Sequence, residues 1–592
     1  MYAWTCGERA RSREQPAAAV SEIGDSAGWT SPPDRDAVAR DLTCLVLALA
    51  VALLVVGPSG NFPLNDDWSF AAAVRGILDD LTFRPTEWTA MTLVIQTLWG
   101  SAFSLLAGYS FDTLRFSTEV LAFASVAVCY LLLSELALPR WLCLLTAATL
   151  AFTPLFFILS VTFMTDVPFV AAMLVAALFF IRALKQPSWR TFVVAIMFTL
   201  VAILIRQLAI ALPLAFALAY PLLHRGRARN WLIGFIPLLL GIATFAGYRV
   251  WLVSDGRLPT VNDRQALWLL HSLADPATIG IALRNIYVAL VYLGWFLLPV
   301  LIAIAFMIDG RFRAVLRRAV FGSGLVIALL SLLTRARDGI WLVQMPTADN
   351  ILVPSGLGTP LLRDQYLLRL DNIPPLPNPF WPLVTVLGLA GATLLLAMLV
   401  TSTMALVQRW RQRRWTDRDG AAALLLLAVS AYLFPLLATA FFDRYLLPAM
   451  PLLGIGLGAA LLPMRLSLPL FRWRVVSMVA LAAFATFSIA GTHDYLAWNR
   501  LRWQMLDKLM QQHQLTAADI DGGFEFNGLL NYRVDYVRVA DKSKWWVDGD
   551  NWMLGFGPVP GYDVVERRWY RHWLPSNGEL VVLRKQGSAD PH

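Results

Sequence analysis

Long apolar runs recur along the whole of this 592-residue chain and constrain its fold more than any other feature. Runs almost free of charged residues cover, for example, residues 42–56, 231–252 and 384–406. A helix of about 20 such residues spans the hydrocarbon core of a bilayer, which is about 30 Å thick. The sequence therefore predicts an all-α polytopic membrane protein.

The composition agrees with this prediction. Hydrophobic residues make up 58% of the chain and charged residues only 15%, whereas an ordinary soluble domain carries about 25% charged residues. This excludes a soluble enzyme. The net charge of +9 comes from Arg residues in short segments between the apolar runs. We therefore expect no nucleic-acid partner, because the basic residues do not gather on one folded face.

We count thirteen candidate membrane spans, each a predominantly apolar segment bounded by polar residues. They cover residues 41–57, 115–135, 141–159, 167–184, 190–205, 207–223, 231–253, 281–307, 318–334, 381–407, 420–441, 445–463 and 475–491. The segments 190–205 and 207–223 are separated only by Arg206, so one long tilted helix is the alternative there.

The distribution of charge predicts the orientation of the spans. Cytoplasmic loops hold an excess of Lys and Arg, and alternate loops of this chain are rich in Arg while the others carry the acids. We therefore predict a cytoplasmic tail over 1–40, a transmembrane domain over 41–491 with outer loops 58–112 and 335–380, and a soluble domain over 492–592 on the outer face. Within that last domain the pattern predicts a helix over 495–512 and strands over 562–565 and 580–584.

An acidic pair, Asp66 and Asp67, follows the first span at the predicted outer boundary and is flanked by Trp68. On a helix the two side chains point about 100° apart, so one can face a reaction centre while the other holds a metal, a cation or a backbone donor. The structural alternative is a solvated N-cap, with Asn65 or Asp66 capping the following helix.

Further charged residues lie on the same predicted face. Asp166 stands between two spans just before Pro168, where it is either functional or an ordinary N-cap. Arg444, next to Tyr445, and Arg206 lie at span boundaries, where an Arg is either a snorkelling anchor or a phosphate ligand. Acids and arginines from separate spans suit a lipid-phosphate substrate, because Arg binds phosphate and a carboxylate deprotonates an attacking hydroxyl.

With these residues in place, the chain resembles the GT-C superfamily of polyprenyl-phosphate-sugar-dependent glycosyltransferases, and within it glycosyltransferase family 39. That branch contains the protein O-mannosyltransferases, which use dolichyl-phosphate-mannose, and the bacterial lipid A aminoarabinose transferases. Asp66-Asp67 resembles the acidic pair of its first outer loop, Phe163-Met164-Thr165-Asp166-Val167-Pro168 its second acidic loop, and Arg444-Tyr445-Leu446-Leu447-Pro448 its late Arg-Tyr-Pro signature. The resemblance covers roughly residues 40–465.

This resemblance implies a glycosyltransferase of the bacterial inner membrane that acts on the periplasmic side. It would move one sugar from a polyprenyl-phosphate donor to an envelope lipid, glycan or protein acceptor. The predicted catalytic residues are Asp66, Asp67 and Asp166, and the predicted substrate-binding residues are Arg206, Arg444, Tyr445 and Trp68. A divalent cation, Mg²⁺ or Mn²⁺, is left open. The alternatives are a lipid or glycan transporter and a non-catalytic scaffold of the cell envelope.

Two further features concern substrate binding. Trp545, Trp546 and Trp552 in the C-terminal domain are either core residues or surfaces on which a sugar stacks. The segment 335–381 is rich in Pro and Gly and too long for a simple connection. We interpret it as a lid or an acceptor-binding loop.

Overall fold

The structure of the protein is a computed structural model. It describes residues 35–224, 227–308, 310–338, 344–348, 350–439, 442–462, 471–538, 542–575 and 578–587. Most of the predicted cytoplasmic tail, the inner loop 463–470 and Phe441 lie outside the described residues.

Nineteen α-helices account for most of the described chain. They are α1 (Arg35–Val56), α2 (Asp67–Asp80), α3 (Val94–Ala107), α4 (Phe111–Glu135), α5 (Arg140–Phe152), α6 (Pro154–Ser160), α7 (Asp166–Lys185), α8 (Trp189–Ile203), α9 (Ala211–Leu223), α10 (Ala228–Ser254), α11 (Thr260–Ala274), α12 (Thr278–Phe296), α13 (Leu298–Met307), α14 (Gly310–Asp338), α15 (Phe380–Arg411), α16 (Asp417–Ala438), α17 (Ala449–Leu461), α18 (Phe471–His513) and α19 (Phe524–Asn531).

The polytopic membrane fold is confirmed. Among the described residues, ten helical segments are long and apolar enough to cross a membrane, and the bent pair α5–α6 makes an eleventh. The predicted spans 190–205 and 207–223 correspond to the shorter apolar helices α8 and α9. All thirteen predicted segments are thus helical, although two of them are shorter than an ordinary span.

Three breaks in the helices refine the predicted spans. The segment 281–307 is not one helix but α12 and α13, which are separated at Leu297 just before Pro299. Residues 140–160 bend by 60° between α5 and α6, where Pro154 cannot continue the hydrogen bonding of α5. The long-helix alternative for 190–223 is wrong, because Arg206 is extended (φ −144°, ψ 128°) between α8 and the 3-10 turn that leads into α9.

Ion pairs join helix ends that were predicted to lie on the same side of the membrane. Three such pairs lie on the predicted inner side: Asp41–Arg140 and Glu135–Lys185 link segments distant in sequence, and Arg409–Asp419 joins the two ends of one loop. At the opposite ends of the helices, the predicted outer loops pair with one another, as in Arg444–Asp66 and Arg206–Asp166. This grouping agrees with the alternation of the spans.

The C-terminal part contains the small sheet predicted from its sequence pattern. Strands β3 (Ile520–Asp521), β4 (Trp552–Gly555), β5 (Tyr562–Trp569) and β6 (Glu579–Lys585) form one sheet in the order β3-β4-β6-β5, in which only β3 and β4 pair in parallel. A short hairpin, β1 (Leu352–Val353) with β2 (Gly356–Leu357), lies in the predicted lid. The predicted helix 495–512 is the end of the 43-residue α18, which continues from the membrane domain without a break.

Candidate active site

The carboxylate of Asp66 lies at the start of α2 and is held by two groups from other parts of the chain. Its Oδ2 lies 3.1 Å from Nη2 of Arg444, a residue 378 positions away in sequence. Its Oδ1 accepts a hydrogen bond of 2.8 Å from the indole N–H of Trp88. Asp66 occupies the N-cap position of α2, but its side chain makes no capping hydrogen bond. The carboxylate is therefore directed toward Arg444 and Trp88 rather than toward its own helix.

Arg444 follows the last residue of α16 by only a few positions, in a 3-10 turn that leads into α17. Its guanidinium is buried and retains unused donors. Within the part of the chain that the structure describes, Nη1 donates one weak, long hydrogen bond of 3.9 Å to the sulfur of Met164, and Nε has no hydrogen-bond partner. Such donors suit an additional anion, because buried N–H groups are ordinarily satisfied.

Arg206 and Asp166 form a second buried charge pair beside the first. Nη2 of Arg206 lies 2.8 Å from Oδ2 of Asp166, but the N–H is not aligned for a hydrogen bond, and both Asp166 oxygens lack such a bond among the described residues. Nε of Arg206 donates to the Thr165 hydroxyl at 2.7 Å. The ring of Tyr445 lies 5.7 Å from the Arg206 guanidinium and 5.5 Å from that of Arg444. Tyr445 thus contacts both cations.

A cavity of about 240 Å³ opens beside Asp66 and Arg444. Its wall includes the residues around Asp66 and Asp67, which we call the acidic loop, the segment after α16, helix α11, the predicted lid and the C-terminal domain. The lining residues are Asn65, Asp66, Phe70, Trp88, Ala90, Met91, Val261, Gln265, Asn350, Thr359, Leu361, Tyr366, Phe442, Arg444, Tyr445, Phe524, Lys544 and Trp545. Asp66, Arg444 and Tyr445 are the sequence-predicted residues that line it. Asp166 and Arg206 lie behind Tyr445.

Besides Asp166 and Arg206, two further predicted site residues do not line this cavity. Asp67 is fully buried, and its Oδ2 accepts a backbone hydrogen bond from Leu64 at 3.3 Å. Burial raises the pKa of Asp67 to about 7 because the charged carboxylate loses its solvation. Trp68 is 2% exposed and packs against Phe524, Tyr532 and Trp546. Trp68 is therefore covered by these side chains and does not line the cavity, and its predicted contact with substrate stays a prediction.

Sequence reasoning missed the contribution of the C-terminal domain. Phe524 and Lys544 line the cavity together with Trp545, which the sequence offered only as one of two alternatives, a core residue or a sugar-stacking surface. The available signal was the pair Trp545-Trp546, whose first ring lines the cavity and whose second packs on Trp68. Lys544 has no acidic partner within 4 Å among the described residues, and its Nζ lies 6.0 Å from the ring centre of Tyr366.

The described part of the predicted lid is attached to the C-terminal domain. The N–H of Phe524 donates to the Leu361 carbonyl at 3.0 Å, and the N–H of Phe556 donates to Asp364 at 2.8 Å. Arg363 and Asp550 form an ion pair at 3.1 Å. Because Asn350, Thr359, Leu361 and Tyr366 belong to this segment and line the cavity, the segment and the domain together form its outer wall.

The residues around the cavity do not provide a preformed metal site within the part of the chain that the structure describes. No group of three His, Cys, Asp or Glu side chains is placed there to hold an ion. Each oxygen of Asp66 accepts one hydrogen bond, from Arg444 and from Trp88. A divalent cation accordingly stays an untested prediction.

Comparison with known proteins supports the resemblance. Residues 96–253 match the model of a family described as dolichyl-phosphate-mannose-protein mannosyltransferase. Over these residues the chain is similar to membrane glycosyltransferases of the GT-C type. The matched region contains Asp166 and Arg206, and the structure joins these residues to Asp66 and Arg444 outside it. This result favours a glycosyltransferase over a transporter.

Other comparisons give weaker similarity. The crystal structure of the Archaeoglobus fulgidus oligosaccharyltransferase in the apo form aligns with a TM-score of 0.38 and 12% sequence identity. The alignment covers 80% of the present chain and 60% of that enzyme, so the chain spans well under two thirds of the length of this solved structure. No curated protein matches the sequence.

Proposed function

We propose that this protein is a GT-C glycosyltransferase that transfers a sugar from a polyprenyl-phosphate-linked donor to a hydroxyl or amine acceptor at the outer face of the bacterial inner membrane. The observation that carries the proposal is the contact between Asp66 and Arg444 in the cavity wall. This contact supports the proposal because a carboxylate that could act as a base and a guanidinium that could bind phosphate lie side by side at one end of the helix bundle, at the level expected for a lipid head group.

In the proposed reaction, Arg444 binds the donor phosphate through its unused Nη1 and Nε donors while Nη2 stays near Asp66. Arg206 adds a second positive charge behind Tyr445. Charge-assisted hydrogen bonds from guanidinium groups stabilise the phosphate as it becomes the leaving group.

Asp66 acts as the general base in this proposal. It takes the proton of the acceptor hydroxyl or amine while the acceptor atom forms a bond to the anomeric carbon. The bond from that carbon to the phosphate oxygen breaks, and its electron pair stays on the phosphate. Trp88 orients the carboxylate through its bond to Oδ1, and the donor lipid needs no further reactant for this single displacement.

Asp166 has a supporting part in the proposed site. It lies next to Arg206 and does not line the cavity. A carboxylate in that position holds the guanidinium in place and offsets part of its charge. Asp67, which is buried against the backbone of the acidic loop, fixes the loop rather than contacting the acceptor.

Replacement of Asp66 by Asn tests the proposal. The Asn carbonyl still accepts the bond from Trp88, and Asn is a good N-cap residue, so we expect a folded protein that still binds donor. Turnover of a polyprenyl-phosphate sugar should fall by about 10² or more because the base is lost. Asp79→Asn, an exposed change on the same helix, is the matched control and should leave turnover unchanged.

The assay follows release of the polyprenyl phosphate from protein reconstituted in vesicles. A wild-type protein that is inactive with polyprenyl-phosphate donors would remove the donor class from the proposal. An Asp66→Asn variant with near-normal turnover would remove Asp66 from the role of base.

A further inference from the structure

A buried carboxylate of the C-terminal domain bonds directly to the backbone of the acidic loop. Oε1 of Glu525, in the first turn of α19, accepts a hydrogen bond of 3.1 Å from the backbone N–H of Asn65. Asn65 immediately precedes Asp66 and itself lines the cavity. The hydrogen bond therefore joins the domain to the residue next to the proposed base, across 460 positions of sequence.

Glu525 is in turn held by the helix that leaves the membrane domain. Its Oε2 lies 2.8 Å from Nη1 of Arg502 on α18, and both side chains are fully buried. Arg502 also donates to the Gly522 carbonyl through Nε at 3.0 Å and Nη2 at 2.7 Å. Arg502 of α18 thus holds Oε2 of Glu525, while Oε1 accepts the hydrogen bond from the acidic loop.

The backbone at Asn65 has an uncommon conformation. Its φ is +56°, in the left-handed region that Gly favours and that Asn adopts more readily than most other residues. The chain turns at this residue into α2, so the backbone here sets the direction in which the Asp66 side chain leaves the start of the helix. A hydrogen bond to the N–H of Asn65 stabilises that direction.

A second contact holds the same two elements together. The Trp68 ring packs directly on Gly528 of α19, where an added Cβ would lie 2.5 Å from the ring. The acidic loop and α19 are thus in contact at two points, one polar and one apolar, on either side of Asp66.

We infer that Glu525 is a positioning residue, and that through the Asn65 N–H the C-terminal domain sets the orientation of the Asp66 carboxylate relative to Arg444. The inference rests on the proposed function, in which Asp66 is the base. Small displacements of a base away from its productive geometry reduce turnover strongly, whereas donor affinity depends on Arg444 and is unaffected.

Two double variants isolate this hydrogen bond. Arg502→Met with Glu525→Gln removes the ion pair but keeps an oxygen that accepts from Asn65. Arg502→Met with Glu525→Leu removes the ion pair and the acceptor. Neither variant leaves a buried charge unpaired, which is the usual reason that such substitutions unfold a protein. The two proteins differ only in the group that faces the Asn65 N–H.

We expect kcat of the Leu variant to be about 10-fold or more below that of the Gln variant, with KM for the polyprenyl-phosphate donor equal within about twofold. Equal kcat in the two variants overturns the inference, as does a fall that appears only in KM. Wild-type activity in the same assay separates this outcome from failure of the proposed function, in which wild-type protein would not turn over the donor.

Hydrogen exchange on wild-type protein gives a second test that requires no variant to fold. The Asn65 amide should exchange as slowly as the backbone amides of α19, because opening of its hydrogen bond requires separation of the two elements. Exchange of the Asn65 amide at the rate of exposed loop amides would also overturn the inference.

Discussion

Replacement of Arg444 gives the most quantitative test of how this site binds a lipid phosphate. The guanidinium is 5% exposed, contacts Asp66 at 3.1 Å, and has Nη1 and Nε available for a ligand. A hydrogen bond to a charged group contributes about 1.5–3 kcal/mol. About 1.4 kcal/mol corresponds to a factor of ten in affinity, so one such bond is equivalent to about 10- to 150-fold. Arg444→Ala removes both donors and should weaken donor binding by at least that factor.

The matched control is Arg444→Lys, which keeps the positive charge but lacks the planar fork. We expect an intermediate loss of donor affinity, because a Lys ammonium contacts phosphate as a point charge and does not bind it with two parallel N–H groups. The ammonium also leaves Asp66 with a cationic neighbour, so this variant separates the effect of charge from that of geometry.

The measurement is titration of vesicle-reconstituted protein with a polyprenyl-phosphate sugar, followed by binding and by initial rates. Both variants must show the wild-type elution profile and a thermal transition close to wild type, because removal of one partner from a buried ion pair is itself destabilising. Donor affinity within about twofold of wild type in correctly folded Arg444→Ala would refute the assignment of Arg444 to the phosphate.

Two further predictions concern orientation and pH. A phosphatase fused after Gly491 should be active outside the cytoplasm, because the acid-rich loops and the C-terminal domain are predicted on the outer face. Activity of a cytoplasm-only reporter fused at the same position would show that the predicted orientation is wrong. Burial raises the pKa of Asp67 to about 7 from 3.8, so the folded state binds a proton that the unfolded state has released, and stability should fall as pH rises from about 4 to 7. Asp67→Asn should therefore raise the apparent Tm at pH 8 and leave it nearly unchanged at pH 4, and equal effects at both pH values would contradict the shift.

The membrane fold could be predicted from the sequence because its main determinant is local. Each apolar run is long enough to form a helix in a bilayer whatever its neighbours are, and all thirteen predicted segments are helical in the structure. Breaks were harder to predict. The sequence around Leu297 is apolar on both sides, so it gives no local sign that the helix ends there. Pro299, two residues later, is compatible with the first turn of a new helix.

The candidate residues of the site were accessible from sequence for a related reason. Asp66, Asp166, Arg206 and Arg444 are charged residues at the ends of apolar segments, where the solvation cost of a charge makes them conspicuous. Alternation of the spans predicted that all four share one face. Their pairing as Asp66–Arg444 and Arg206–Asp166 was not predictable, because it depends on which helices are neighbours in the bundle.

Only the tertiary structure decided which residues next to Asp66 are buried and which line the cavity. The sequence predicted that Asp67 is catalytic like Asp66 and that Trp68 binds substrate, but the fold buries Asp67 and Trp68 and leaves Asp66 in the cavity wall. The hydrogen bond of Glu525 with Asn65 joins residues 460 positions apart, and no sequence pattern in the C-terminal domain indicates this contact. Local hydrophobicity determines which segments enter the bilayer, whereas the geometry of the site arises from long-range packing of side chains that no local pattern encodes.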